Sequence, residues 1–192
     1  MTPDISLGQS VKQAVRFLQG IHRDVNSMIA SLDDEMSQKD WHPTEQNRVT
    51  SDLSNGLNGN KWLIKSLYRI YSPHQEATST QLIVAIQVEF DPPEPHYDEP
   101  VCLLFAACFP SPVEYTDIWS KWDHAGSERV LRHLAKKDKA QKLELKLLHD
   151  RFMPGATAGA ALAVPLCNLT GVDSLRKNVV QPLLEMASGM PK

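Results

Sequence analysis

No stretch of the chain approaches the roughly 18 to 20 uninterrupted apolar residues that a membrane-spanning helix needs. The opening residues MTPDISLGQSVKQ combine no basic cluster with an apolar core, so no export signal is expected. A formal net charge of -3 leaves no overall basic excess, which argues against generic binding to nucleic acid or anionic surfaces. The three cysteines are odd in number and lack any CxxC spacing. Cys102 and Cys108 sit in the apolar run VCLLFAACF and Cys167 in AVPLCNL, the pattern of free thiols in a reducing compartment rather than of disulfides or a zinc site. Seven histidines show neither HExxH nor HxH spacing, and G-x-S-x-G and the Walker A ending are absent. The small-residue run at 155–161 fits a tight turn. No metal and no cofactor are therefore expected, and the location expected is cytoplasmic.

What is present begins with a helix. In residues 6–36 apolar positions fall at Val11, Ala14, Leu18, Ile21, Val25, Met28 and Leu32, alternating steps of three and four, the a/d seam of a heptad repeat. Ser6 and Gln9 have capping-box spacing. Val15, Phe17 and Ile29 widen the stripe. This helix either packs along its own sheet or pairs with a partner or a second copy, and for the second use the candidate interaction residues are Val11, Leu18, Ile21, Val25, Met28 and Leu32. A polar connection over 37–60 follows, with Trp41 and His42 expected to pin it to the body.

Period-two alternation marks strands at 62–71 and 81–90, the second apolar on both sides at its start and so central. Residues 101–109 are apolar throughout. Helix-free connections between these three imply an antiparallel meander. Helical spacing returns at 115–122 and 127–137, alternation at 141–148, where a short helix is the alternative to a strand, and a further apolar run at 160–169. In that last run Pro165 cannot donate to a ladder, so it forms an edge strand or ends early. The closing helix places Leu175, Val179, Leu183 and Ala187 four apart. Pro182 within it demands a kink or restart, and Gly189 is a natural stop. The fold class is α+β, in the order α-βββ-α-ββ-α: a long N-terminal helix, a mainly antiparallel sheet of about five strands, and a C-terminal helix. Residues 1–192 read as one domain, with the sheet and inserted helices over 61–169 and the last helix over 170–192. This order is similar to that of small dimeric secretion chaperones and of several sensor and nuclease cores.

Three constellations could carry chemistry. The loop after the central strand holds Glu89, Asp91, Glu94, Asp98 and Glu99, but its four prolines splay them apart, so it reads as a stiff solvated connection that another protein could recognise. Glu144 and Lys146 form an E-x-K that, with Asp91, resembles the metal-dependent nucleases of the PD-(D/E)xK type, which use such residues to hold Mg²⁺ and activate water. The match departs where that family's preceding strand should carry the Asp. The third is a basic stretch, Arg129, Arg132, Lys136, Lys137 and Lys139, which could meet phosphate or an acidic partner but has the pattern of a solvated helix face. On balance the chain is expected to bind rather than catalyse, as a homodimeric interaction, adaptor or chaperone-like module. The alternatives are a Mg²⁺-dependent nuclease-like hydrolase using Asp91, Glu144 and Lys146, and a small-ligand sensor. The expected partner is a protein or a second copy, not a membrane.

Overall fold

The alternation at 81–90 becomes the centre of the sheet because both sides of that strand carry apolar side chains that only a two-sided cover can remove from water. A computed structural model of the protein describes residues 5–44, 50–52, 66–73, 81–90, 102–111, 141–142 and 159–189. Its elements are α1 (Ile5–Ser37), β1 (His42–Pro43), β2 (Thr50–Asp52), β3 (Ser66–Ser72), β4 (Gln81–Glu89), β5 (Leu103–Ser111), β6 (Gln141–Lys142) and β7 (Ala160–Pro165). A closing helix, α2, is built from Val172–Leu175, Arg176–Val180 and Gln181–Ser188.

The seven strands form one sheet in the order β1-β3-β4-β5-β7-β6, with β2 also on β3, and every pairing is antiparallel. The body is the meander β3-β4-β5 with β7 added, while β1, β2 and β6 are pieces of two or three residues that finish the outer edges. Such short segments leave little ladder for another chain to extend. Over the described residues the α+β order expected from the sequence is the one observed, with β1 and β2 added inside the connection expected over 37–60. The inserted helices expected over 115–137 and the remainder of the strand expected over 141–148 lie outside the described residues.

Register decides which residues share a face. Tyr71 pairs with Val84, Arg69 with Ile86 and Leu67 with Val88, and those continue to Cys108, Ala106 and Leu104 on β5 and to Leu162 and Val164 on β7. Against this face pack Leu32, Met36 and Trp41 from the N-terminal part, and Leu175, Val179, Leu183 and Ala187 from α2. The four-residue spacing read in the last helix is thus the buried stripe. The opposite face is also out of water, through Ile70, Ile83, Ala85, Phe105, Ala107 and Ala161. Burial of β4 extends beyond its apolar start, since Gln87 is fully enclosed as well.

Proline and capping chemistry set the ends. β7 stops at Pro165, after which a 3-10 turn, Leu166–Asn168, carries the chain away. Within α2 the amide of Gln181 reaches back five residues to the carbonyl of Arg176. This single π turn immediately precedes Pro182 and absorbs the loss of its N–H, after which the helix restarts and ends at Gly189. At the end of α1, the amides of Asp40 and Trp41 donate to the carbonyls of Ser37 and Met36. Asp40 adopts a left-handed φ of 61°. This is a Schellman closure, completed by packing of Trp41 in the same core cluster as Met36. Trp41 and His42 do pin the connection: the tryptophan is buried and His42 pairs with Ser72.

Candidate functional site

Helix α1 is one rod of 33 residues, about 50 Å long at 1.5 Å per residue, and its apolar stripe has two environments. From Val25 onward the stripe is enclosed: Val25 and Ile29 pack with Val88 on β4, and Leu32 and Met36 join the cluster with α2. Residues 8–17 are all exposed, although the stripe continues through them. Val11 is 56% exposed, Val15 48% and Phe17 70%. Leu18 and Ile21 lie at the transition and are half-buried. At 100° per residue, Val11, Ala14 and Leu18 fall on the same side of the helix as Val25, Ile29 and Leu32. Over the ten exposed positions 8–17 the stripe therefore runs about 15 Å along the helix axis without cover.

What keeps the rod rigid at its inner end is a pair of charge clamps. Arg69, in β3 and only 4% exposed, donates through Nε and Nη2 to the two carboxylate oxygens of Asp33 at 3.0 and 2.5 Å. The Tyr71 hydroxyl donates to Asp33 at 2.7 Å. Burial by itself would disfavour the guanidinium, but the hydrogen bonds and charge of Asp33 outweigh it and hold Arg69 charged. Burial, then the neighbouring Asp33 charge, push the Tyr71 phenol well above its usual range, so it remains a donor. Two residues along the helix, Glu35 accepts from Nε and Nη2 of Arg176 in α2, both at 2.7 Å. Arg176 also reaches Asp173 at 3.2 Å. The hydrogen bonds from Arg176 hold the Glu35 carboxyl below its usual range, against the opposing effect of burial. One clamp fixes α1 to the sheet and the other to α2.

Of the candidate interaction residues, Val25 and Leu32 are used by the protein's own core, Met28, Leu18 and Ile21 are half-buried, and Val11 is open to solvent. Asp91, Glu144 and Lys146, and the basic residues Arg129, Arg132, Lys136, Lys137 and Lys139, lie outside the described residues. At the ends of the acidic loop, the Cys102 thiol donates to the Phe90 carbonyl at 3.4 Å, and the Phe90 ring packs on His22 with centroids 6.1 Å apart. Among the described residues no group of three His, Cys, Asp or Glu side chains could hold a metal ion. No described helix is long and apolar enough to cross a membrane. All three cysteines are free, and burial pushes the Cys108 thiol up to about 12, which keeps it protonated and inert.

The residues of the two clamps, Asp33, Glu35, Arg69, Tyr71 and Arg176, carry no motif. The one sequence signal was Arg69 itself, placed by alternation on the same side of β3 as Leu67 and Tyr71. Compared with protein-family models, with curated proteins and with solved structures, the chain matches none.

Proposed function

We propose that the protein is a non-enzymatic, homodimeric interaction module of adaptor or chaperone-like type, working in the cytoplasm, and that residues 8–21 of α1 form its interface. The observation carrying this reading is the continuous apolar stripe that is buried from Val25 inward and exposed at Val11, Val15 and Phe17. A bulky apolar side chain left in water forgoes about 1.5–3 kcal/mol that burial would return, and Val11 lies within the stripe with Val15 and Phe17 on its two flanks. The two clamps support the reading, because they hold the projecting segment without using any of its residues. The flanks of the stripe, Ser10, Gln13, Gln19 and His22, carry no acid or permanently charged base. That leaves no flanking charge to oppose self-pairing. Free thiols suit a reducing compartment.

Light scattering at micromolar concentration provides the test. The native chain is expected at twice the monomer mass, and Val11→Asp combined with Phe17→Asp is expected to give a folded monomer, since neither side chain belongs to the core. A native chain that stays monomeric at all concentrations ends this reading.

A further inference from the structure

We infer that the two copies pair antiparallel through the projecting halves of α1, about a two-fold axis that passes beside Ala14. This rests on the self-association proposed above and assigns its geometry.

The exposed stripe faces the same side of α1 as Val25, Ile29, Leu32 and Met36, so the sheet and α2 occupy that side beyond residue 21. A second helix laid along the stripe in parallel would have to continue into the space filled by Val88 and Phe90, which pack with Ile21 and Val25. An antiparallel helix runs the other way and leaves the first body behind. The body begins at Ile21, where the His22 ring already touches Phe90. The partner's helix can reach that level and advance little further, so the fullest overlap places residue i opposite residue 28 − i and the axis at 14.

The same segment, residues 7–21, has the sequence LGQSVKQAVRFLQGI. Read outward from Ala14 it nearly mirrors itself: Lys12 with Arg16, Val11 with Phe17, Gln9 with Gln19, Gly8 with Gly20, Leu7 with Ile21. Only Gln13 with Val15 and Ser10 with Leu18 break the match. In the antiparallel register each of these positions faces its mirror position on the other copy, so Val11 opposes Phe17, while Leu18 meets the small Ser10 and Val15 meets the uncharged Gln13. Ala14 meets Ala14 at the axis, where a small side chain permits close approach. Lys12 and Arg16 fall on the side of the helix away from the stripe, so their like charges stay in water. A parallel coil gains nothing from this mirror pattern, and its e and g positions, Val15 and Phe17, offer no charges to select that orientation.

Pulsed electron-spin distance measurements decide it. With Cys102→Ser and Cys167→Ser as background and Cys108 unreactive in the core, spin labels are placed singly at Asp24→Cys and at Asp34→Cys, both exposed positions. The antiparallel pair separates the labels by about 30 Å at residue 24 and about 60 Å at residue 34, measured along the helix axis. A dimer with equal, short separations at the two positions, or with separations that do not grow between them, overturns the geometry while leaving self-association standing. A monomer by light scattering removes both. Independently of the labelled background, Ala14→Cys is expected to form a disulfide-linked dimer on oxidation and Gln9→Cys, about 15 Å from its copy along the axis, no more than the native chain. Cross-linking at Gln9→Cys with none at Ala14→Cys likewise overturns the axis.

Discussion

Arg69 and Asp33, 36 residues apart in the chain, meet in a two-pronged ion pair at 3.0 and 2.5 Å between the enclosed face of β3 and the last turns of α1. Arg69 is buried, while Asp33 keeps about a quarter of its side chain, 26%, in water. The pair therefore fixes where α1 crosses the sheet, and so which part of the helix is covered and which projects.

Breaking this pair from the acid side leaves a buried guanidinium without its counter-charge. Asp33→Asn, which keeps an acceptor for Tyr71, is expected to cost about 3 kcal/mol, the lower end for a buried pair because Asp33 is partly solvated. Arg69→Met added to Asp33→Asn is expected to recover most of that loss, since no uncompensated charge remains. Urea unfolding of the two single variants and the double variant measures the coupling. Additive losses would mean that the pair does not hold the helix in place.

The expectations that matched the structure share one physical basis, local periodicity. The meander was legible because alternation in 81–90 and the unbroken apolar run at 101–109 each require burial on their own, whatever their neighbours. The stripe Leu175, Val179, Leu183, Ala187 was legible for the same reason, and Pro182 announced a restart because it lacks an N–H. The division of α1 was not legible. Val11 and Val25 occupy equivalent places in one repeat, and only the reach of the sheet, a non-local quantity, buries one and exposes the other. The clamps were equally hidden: with 20 Lys and Arg against 23 Asp and Glu, charge alone does not say that Glu35 finds Arg176 141 positions away.

The Glu35–Arg176 clamp gives stability a dependence on acid. Because its hydrogen bonds with Arg176 hold the Glu35 carboxyl below its usual range in the folded chain, the unfolded chain binds the proton more readily. The contribution is complete above the ordinary glutamate value of about 4.3 and is lost as pH falls through the lower folded value. Glu35→Gln is therefore expected to lower the melting temperature at pH 7, with the gap to the native chain narrowing as pH drops below about 4.3. Thermal melts across that range check it. A gap that is constant with pH would show that the Glu35 charge adds no stability.

The end of α1 offers a gain rather than a loss. Asp40 holds a φ of 61° at the position where a Schellman closure favours glycine, and a side chain with a Cβ pays about 1–2 kcal/mol to stay there. Its amide donates to Ser37 and the next one, of Trp41, to Met36, so the backbone conformation is held by the hydrogen bonds and by Trp41 in the core, not by the aspartate. Asp40→Gly is expected to stabilise the protein by about 0.5–1 kcal/mol after the added freedom of the unfolded chain is allowed for. For a domain of this size that is a rise of about 1–4 °C in Tm. Asp40→Val, with a branched Cβ in the same conformation, is expected to lower Tm. If both substitutions shift Tm the same way, the left-handed backbone at residue 40 is not what limits the closure of α1. The opposite signs would place the strain at the hinge from which the projecting helix is aimed.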